Sequence, residues 1–348
     1  MNIRIIKYCI PLLFNAGAWY SFGYTGVATW LPVVFAFVMI PLLELLLPPD
    51  HSNLDAQEEA VAKDDKIYDM ILYSIVPIQY AVLYQFLTHI NDAGLSTSDT
   101  IGRIVVMGLM CGVMGINVGH ELGHRVNKTE QVMARMLLLS SLYMHFFIEH
   151  NRGHHKYVGT PTDPSSARRN EPLYFFWFRS ITGVYRKAWA IAKEEQKKKG
   201  KTWLQNEMLH YQLIQLGFLC AIAYLFGWIV LSYFMIAALI GILLLETVNY
   251  IEHYGLYRKP TGNGNYERAM PHHSWNSDHI VGRIMLFELS RHSDHHYLAS
   301  RKYQLLRHHD SSPQLPTGYP GSMLLATIPP LWFRVMNKKI DAYNKQRQ

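Results

Sequence analysis

Apolar runs of membrane-crossing length alternate with charged blocks along this chain. Six stretches reach or approach the roughly 20 residues that cross a hydrocarbon core, at 4–22, 28–48, 69–88, 102–120, 207–226 and 230–250. The pattern predicts an all-α integral membrane protein, a single domain over 1–348, with six transmembrane helices. Two large polar regions, 120–206 and 251–348, would form a helical and loop cap. Lys and Arg are absent from the short segments 23–27 and 89–100 but present in the N-terminal segment, the 49–68 loop and both polar regions. Positive charge favours the cytoplasmic side, so both termini and both polar regions are expected there, in an inner membrane.

Three details refine this reading. Arg4 and Lys7 precede an apolar run, and Ala16-Gly17-Ala18 resembles a signal cleavage site. Removing that run would leave an odd number of spans and spoil the charge pattern, so it is read as the first span. The apolar stretch 133–150 is expected to be one helix buried at the cytoplasmic rim, because a seventh span would put neighbouring histidine motifs on opposite sides of the membrane. The segment 260–279, rich in Gly, Asn and His, reads as a loop.

Composition adds less. Mean hydropathy near zero averages lipid-facing spans with soluble blocks. The net charge of +7 comes from residues in loops, with no basic stripe interleaved with aromatics, which argues against nucleic acid and for lipid or an acidic partner. Cys9, Cys111 and Cys220 lie in apolar surroundings and suggest neither disulfide nor thiolate metal site.

Histidine changes the picture. Its 18 copies crowd into short motifs. His120-Glu121-Leu122-Gly123-His124, Glu149-His150-Asn151-Arg152-Gly153-His154-His155, Asn249-Tyr250-Ile251-Glu252-His253-Tyr254-Gly255 and Arg291-His292-Ser293-Asp294-His295-His296 each follow or end an apolar stretch. In an α-helix, residues four apart share a face, so His120/His124, His150/His154 and His292/His296 can each aim two imidazoles at one point, with His155 and His295 extending two of those faces. If all four groups meet at the inner membrane surface, nine imidazoles exceed the six positions of one octahedral ion. At least two metals are then needed, with about three positions left for dioxygen or water.

Carboxylates that orient metal-bound imidazoles are available beside every cluster: Glu121, Glu149, Glu252 and Asp294, with Glu246 and Glu44 in or at the ends of apolar spans. His51, His89, His145 and His210 read as ordinary core or surface residues. His272, His273, His279, His308 and His309 read equally well as outer partners of the ligands or as loop residues.

The motifs HELGH, EHNxGHH, NYIEHYGL and RHSDHH, with PHHSWNS at 271–277 and the run 317–335, resemble the membrane alkane monooxygenases. The motifs cover the chain from His120 to Val335, while the first three spans match only in character. The fatty-acyl desaturases and xylene-type hydroxylases resemble it less. The resemblance implies six membrane helices capped by a cytoplasmic non-haem di-iron site, two Fe ions held by His120, His124, His150, His154, His155, His253, His292, His295 and His296. The motifs do not divide these nine between the irons. The resemblance implies O2-dependent hydroxylation of the terminal methyl of n-alkanes; an alkane offers no acidic proton or hydrogen-bonding group for acid–base catalysis, so a metal-bound oxidant is needed.

Terminal attack must come from positioning, because the terminal C–H bond is stronger than its neighbours. Candidate linings of a substrate tunnel are Phe35, Phe37, Val38, Met39 and Leu43 of the second span and Leu243, Leu244 and Leu245 of the sixth. Electrons must come from a separate protein, as neither a G-x-G-x-x-G fingerprint nor an iron–sulfur cysteine set is present. In the family that donor is rubredoxin, reduced by a rubredoxin reductase. The basic stretch 179–201, with Arg186, Lys187, Lys197, Lys198 and Lys199, is a docking candidate and equally a lipid contact. His120-Glu121-x-x-His124 also fits a zinc metalloprotease, but one zinc needs only three or four ligands and would leave two motifs without a purpose. A metal transporter would place its ligands nearer mid-span.

Overall fold

The computed structural model describes residues 3–346. The chain is mostly helical, and among the described residues the sheet is one small hairpin, Pro260–Gly262 with Asn265–Tyr266, inside the segment expected to be a loop. Helices long and apolar enough to cross a membrane are Val27–Leu46, Ile67–His89, Thr97–Gly123, Glu207–Phe226 and Trp228–His253. The expected first span, 4–22, is instead assembled from Ile3–Ile6, a 3-10 turn at Lys7–Cys9 and Ile10–Gly23. Pro11 accounts for the join: it lacks an N–H and its ring clashes with the carbonyl four residues back, so a regular helix cannot run through it undisturbed.

Helix ends follow their capping residues. Ser96, Asn127 and Asn206 accept backbone N–H groups at the starts of Thr97–Met110, Lys128–Leu139 and Glu207–Phe226. Gly227, at a positive φ of 89°, ends one long helix directly before the next begins at Trp228.

The fold divides into two compact units, each assembled from three stretches of chain. The first comprises Met1–Phe35, Lys66–Arg152 and Tyr185–Leu245. Within it, Thr97–Gly123 packs closely on the 228–245 part of its neighbour through small residues, because a Cβ on Gly241 would come within 2.6 Å of the Cys111 Cβ. Close backbone approach at small residues drives helix association in lipid, where burial alone gains little. Asp99 ties a third helix into this unit by accepting Gly26 N–H at 2.6 Å and the Thr29 hydroxyl at 3.1 Å.

The stretch 133–150 is not one helix. Lys128–Leu139 and Phe146–Glu149 are separated by a turn in which Leu142 adopts φ 54°. Ser140 donates to Leu137 O and Ser141 to Cys111 O, so both hydroxyls compete with helical hydrogen bonding where continuity was expected.

The second unit comprises Ala36–Asp65, Gly153–Val184 and Glu246–Gln348. Its core is aromatic: Tyr250, Tyr254, Trp275, Tyr303, Tyr319 and Trp332 are fully buried. The indole N–H of Trp275 donates to Tyr254 O and its backbone N–H to Glu252 O, which clamps the PHHSWNS segment onto the end of the helix carrying NYIEH. Glu44 enters this unit from an apolar helix and is buried, its carboxylate accepting Gly282 N–H at 2.9 Å. A Cβ on Gly318 would fall inside that carboxylate, and one on Gly282 would also collide with it. Gly318→Ala is therefore expected to cost about 2 kcal/mol through overpacking, read as a lower thermal midpoint in detergent, with Ser322→Ala, one helical turn away, costing less.

Candidate metal centre

In the second unit, His154, His253, His292 and His296 bring four ring nitrogens within 4.8 Å of one another. His154 and His296 meet Nε2 to Nε2 at 3.2 Å, and His253 and His292 at 3.1 Å. Nitrogens bound at about 2.1 Å to one ion lie about 3 to 4 Å apart, so the spacing matches a shared cation. The Glu252 carboxylate reaches the same point, 3.2 Å from His292 Nε2, and its other oxygen accepts the Tyr319 hydroxyl at 2.6 Å. Burial and the adjacent Glu252 keep that phenol protonated, well above its usual range.

Protonation fits metal binding. Asp163 takes the Nδ1–H of His154 at 2.9 Å, which leaves the Nε2 lone pair facing the cluster. Asp163 is itself held by Ser166 Oγ at 2.6 Å and by the backbone N–H of Ser165. Burial pushes His295 down to about 3, and burial with the neighbouring histidines holds His296 well below its ordinary value. Both rings therefore stay neutral with a lone pair to give.

The remaining ligand candidates are found in both units. His155 and His295, in the second unit, meet Nε2 to Nε2 at 3.1 Å. In the first unit His124 Nε2 lies 3.2 Å from His120 Nε2 and 3.1 Å from His150 Nε2. The expected pair His150/His154 does not aim at one point, since His150 turns to His124 and His154 to His296. The reason is local: His150–His154 is a π-turn, with i to i+5 hydrogen bonding, and the i, i+4 face of an α-helix does not exist there. His120/His124 and His292/His296 do fall together.

The acidic residues beside the motifs take different parts. Glu252 faces His292, as above. Glu121 pairs with Arg125 at 2.7 Å and Glu149 with Lys187 at 3.3 Å, both within the first unit. Glu246 accepts the Ser180 hydroxyl at 2.5 Å, and Glu44 lies in its glycine cradle. Asp294 gathers Arg301, the Arg307 N–H and His309, anchoring the loop that follows the last histidine motif. Asp163 was not among the sequence candidates, because it stands nine residues beyond His154 in a Thr-Pro-Thr-Asp-Pro turn with no motif to mark it. Of the loop histidines, His273 accepts Met270 N–H and donates to Glu267, and His279 pairs with Ser277 Oγ. His145 is buried against Tyr143 and Tyr185, and burial pushes it down to about 4.

Among the tunnel candidates, Val38 and Met39 are exposed, Leu245 is buried and Phe35, Phe37, Leu43, Leu243 and Leu244 are half-buried. Leu244 lies in contact range of Gly112. Of the basic stretch, Lys198 and Lys199 pair with Glu194 and Glu195 one turn back on their own helix.

Residues 100–322 match the fatty acid desaturase family. The chain is 39% identical to alkane 1-monooxygenase 2 of Pseudomonas aeruginosa, over 96% of this chain and 89% of the relative. It is 38% identical to alkane 1-monooxygenase of Acinetobacter baylyi, over 90% and 77%. The chain belongs to the alkane 1-monooxygenase family. This membrane monooxygenase is also 28% identical, over 95% of its length and 87% of the relative's, to the hydroxylase component of the xylene/toluene monooxygenase of Pseudomonas putida. Loss of the Asp163 carboxylate in Asp163→Asn frees the tautomer of His154, and metal affinity or turnover is expected to fall about 10- to 100-fold, measured as metal per chain together with product formation.

Proposed function

We propose that the protein hydroxylates the terminal methyl of n-alkanes to 1-alkanols, using O2 and two Fe ions held by the nine motif histidines. The observation that supports this most is the convergence of four buried imidazoles on a point flanked by Glu252, in a chain 39% identical to an alkane 1-monooxygenase. One iron would be held by His154, His253, His292 and His296. The other five motif histidines are left for the second iron.

An iron pair there supplies the activation of dioxygen that an unactivated C–H bond requires. The protein's own part is to hold the rings and to position the chain end. Asp163 fixes the tautomer of His154, and Tyr319 fixes the rotamer of Glu252. Terminal selectivity requires that the substrate's methyl be presented while its methylenes are held away, a matter of position rather than reactivity. Phe35, Phe37, Val38, Met39, Leu43, Leu243, Leu244 and Leu245 are the candidate tunnel lining.

The remaining assignments belong to the same reading. The broken helix over 3–23 would join the five long helices as a sixth span, with the termini and the centre facing the cytoplasm and the membrane being the inner one. Two electrons per turnover would come from rubredoxin and rubredoxin reductase, docking near Arg186 and Lys197.

The test is metal content and turnover of untagged protein in detergent. About two irons per chain are expected, with loss of iron in His155→Ala and His295→Ala, and 18O from labelled dioxygen in 1-octanol when rubredoxin, its reductase and octane are supplied. One tightly held zinc with negligible iron after iron-supplemented expression would overturn the di-iron reading. Oxygen transfer to a xylene or a fatty acyl chain, but to no alkane, would overturn the substrate while leaving the centre intact.

A further inference from the structure

A second group of ligand-type side chains stands apart from the nine histidines and shares no residue with them. His51, Asp278 and His308 bring one atom each within 4.8 Å of one another in the second unit. His308 Nδ1 lies 2.9 Å and His51 Nδ1 3.3 Å from the same oxygen, Asp278 Oδ2, and the two ring nitrogens are 3.3 Å apart. Asp278 is buried, His308 nearly so, and the His51 side chain is about half exposed.

We propose that His51, Asp278 and His308 bind a divalent transition-metal ion, zinc by preference, at a site distinct from the monooxygenase centre. Two imidazoles and one carboxylate are a donor set suited to zinc, and three protein ligands leave a position for water. His308 carries the outer partner expected of a metal ligand: its Nε2 faces Asp310 Oδ1 at 3.2 Å. A proton on Nε2 serves Asp310 and leaves the Nδ1 lone pair directed at His51 and Asp278.

The ligands are also held in place from the backbone. Asp50 N–H donates to Asp278 O at 2.9 Å. Arg291 donates to the carbonyls of Asp50 and Ser52, on either side of His51. Asn53 exchanges two hydrogen bonds with the backbone of His308, accepting its N–H at 2.7 Å and donating to its carbonyl at 3.0 Å. The segment after Val27–Leu46 and the loop around 308 are thus fixed before any ion arrives, and little ordering remains to be done on binding. A bound ion would clip these two segments together at the surface, with the water position open.

The experiment is a calorimetric titration of the untagged, iron-loaded protein with zinc chloride, with iron and zinc counted by mass spectrometry in the same samples. One additional zinc per chain is expected, with iron unchanged. Affinity should fall at least tenfold in His51→Ala and in Asp278→Asn and stay unchanged in His210→Ala. His51→Ala carries the test should Asp278→Asn fold poorly, since its side chain is half exposed and the surrounding hydrogen bonds are backbone ones. Absence of saturable uptake, uptake only as iron is lost, or equal uptake by His51→Ala would each overturn the proposal. Because iron is counted separately, failure here leaves the monooxygenase reading untouched, and the reverse also holds.

Discussion

Holding neutral imidazoles with their lone pairs pointed at one another is the constraint on which the second unit depends. Four ring nitrogens converge there within 4.8 Å, in surroundings that exclude water. Burial prevents the rings from escaping through protonation, as the fall of His296 well below its ordinary value indicates. Without a cation the arrangement sets lone pairs against each other; with one, every lone pair becomes a bond. The protein must therefore hold the rings before the ion stabilises them. Much of the unit's polar chemistry does so: Asp163 on His154, Tyr319 on Glu252, and the Trp275 clamp on the helix end that carries His253.

The same logic sorts the carboxylates. Adjacency to a histidine motif made Glu121, Glu149, Glu252 and Asp294 look equivalent, yet each faces a different group. Helical geometry decides much of this. Glu121 is one position from His120 and so points about 100° away from it, toward Arg125, four residues further on. Asp163 lies far enough along the chain to return against His154. Sequence adjacency to a ligand therefore does not by itself mark the carboxylate that orients it.

This explains which features were legible in the sequence. Apolar length marked five long helices, and the histidine motifs marked every ring in the clusters, because both signals are local and carried by residue type. What escaped depended on backbone detail. The π-turn at His150–His154 changes which rings share a face, and nothing in EHNRGHH distinguishes i+4 from i+5 hydrogen bonding. The break after Leu139 rests on Ser140 and Ser141 turning their hydroxyls to carbonyls within an apolar run. His51 reads as an ordinary residue, and His308 equally as an outer partner of the ligands or a loop residue, because 257 positions separate them and only folding sets both beside Asp278.

Chemistry and substrate are written in different parts of such a chain. The oxidising centre needs a fixed set of nitrogen donors, which leaves a signature in residue identity and spacing. Substrate choice needs only an apolar passage of a certain length and width, and many combinations of Leu, Phe, Val and Met produce one. Relatives named for alkanes at 39% identity and for xylene and toluene at 28% fit this division, with different substrates named on chains similar along most of their length. Among the proposed lining residues, Val38 and Met39 are exposed and Leu244 lies against Gly112, so apolar character alone does not pick out a wall of the passage. A side chain that packs against a glycine on a neighbouring helix sets how closely the two helices approach. The contact of Leu244 with Gly112 thus sets the width available between these two helices of the first unit.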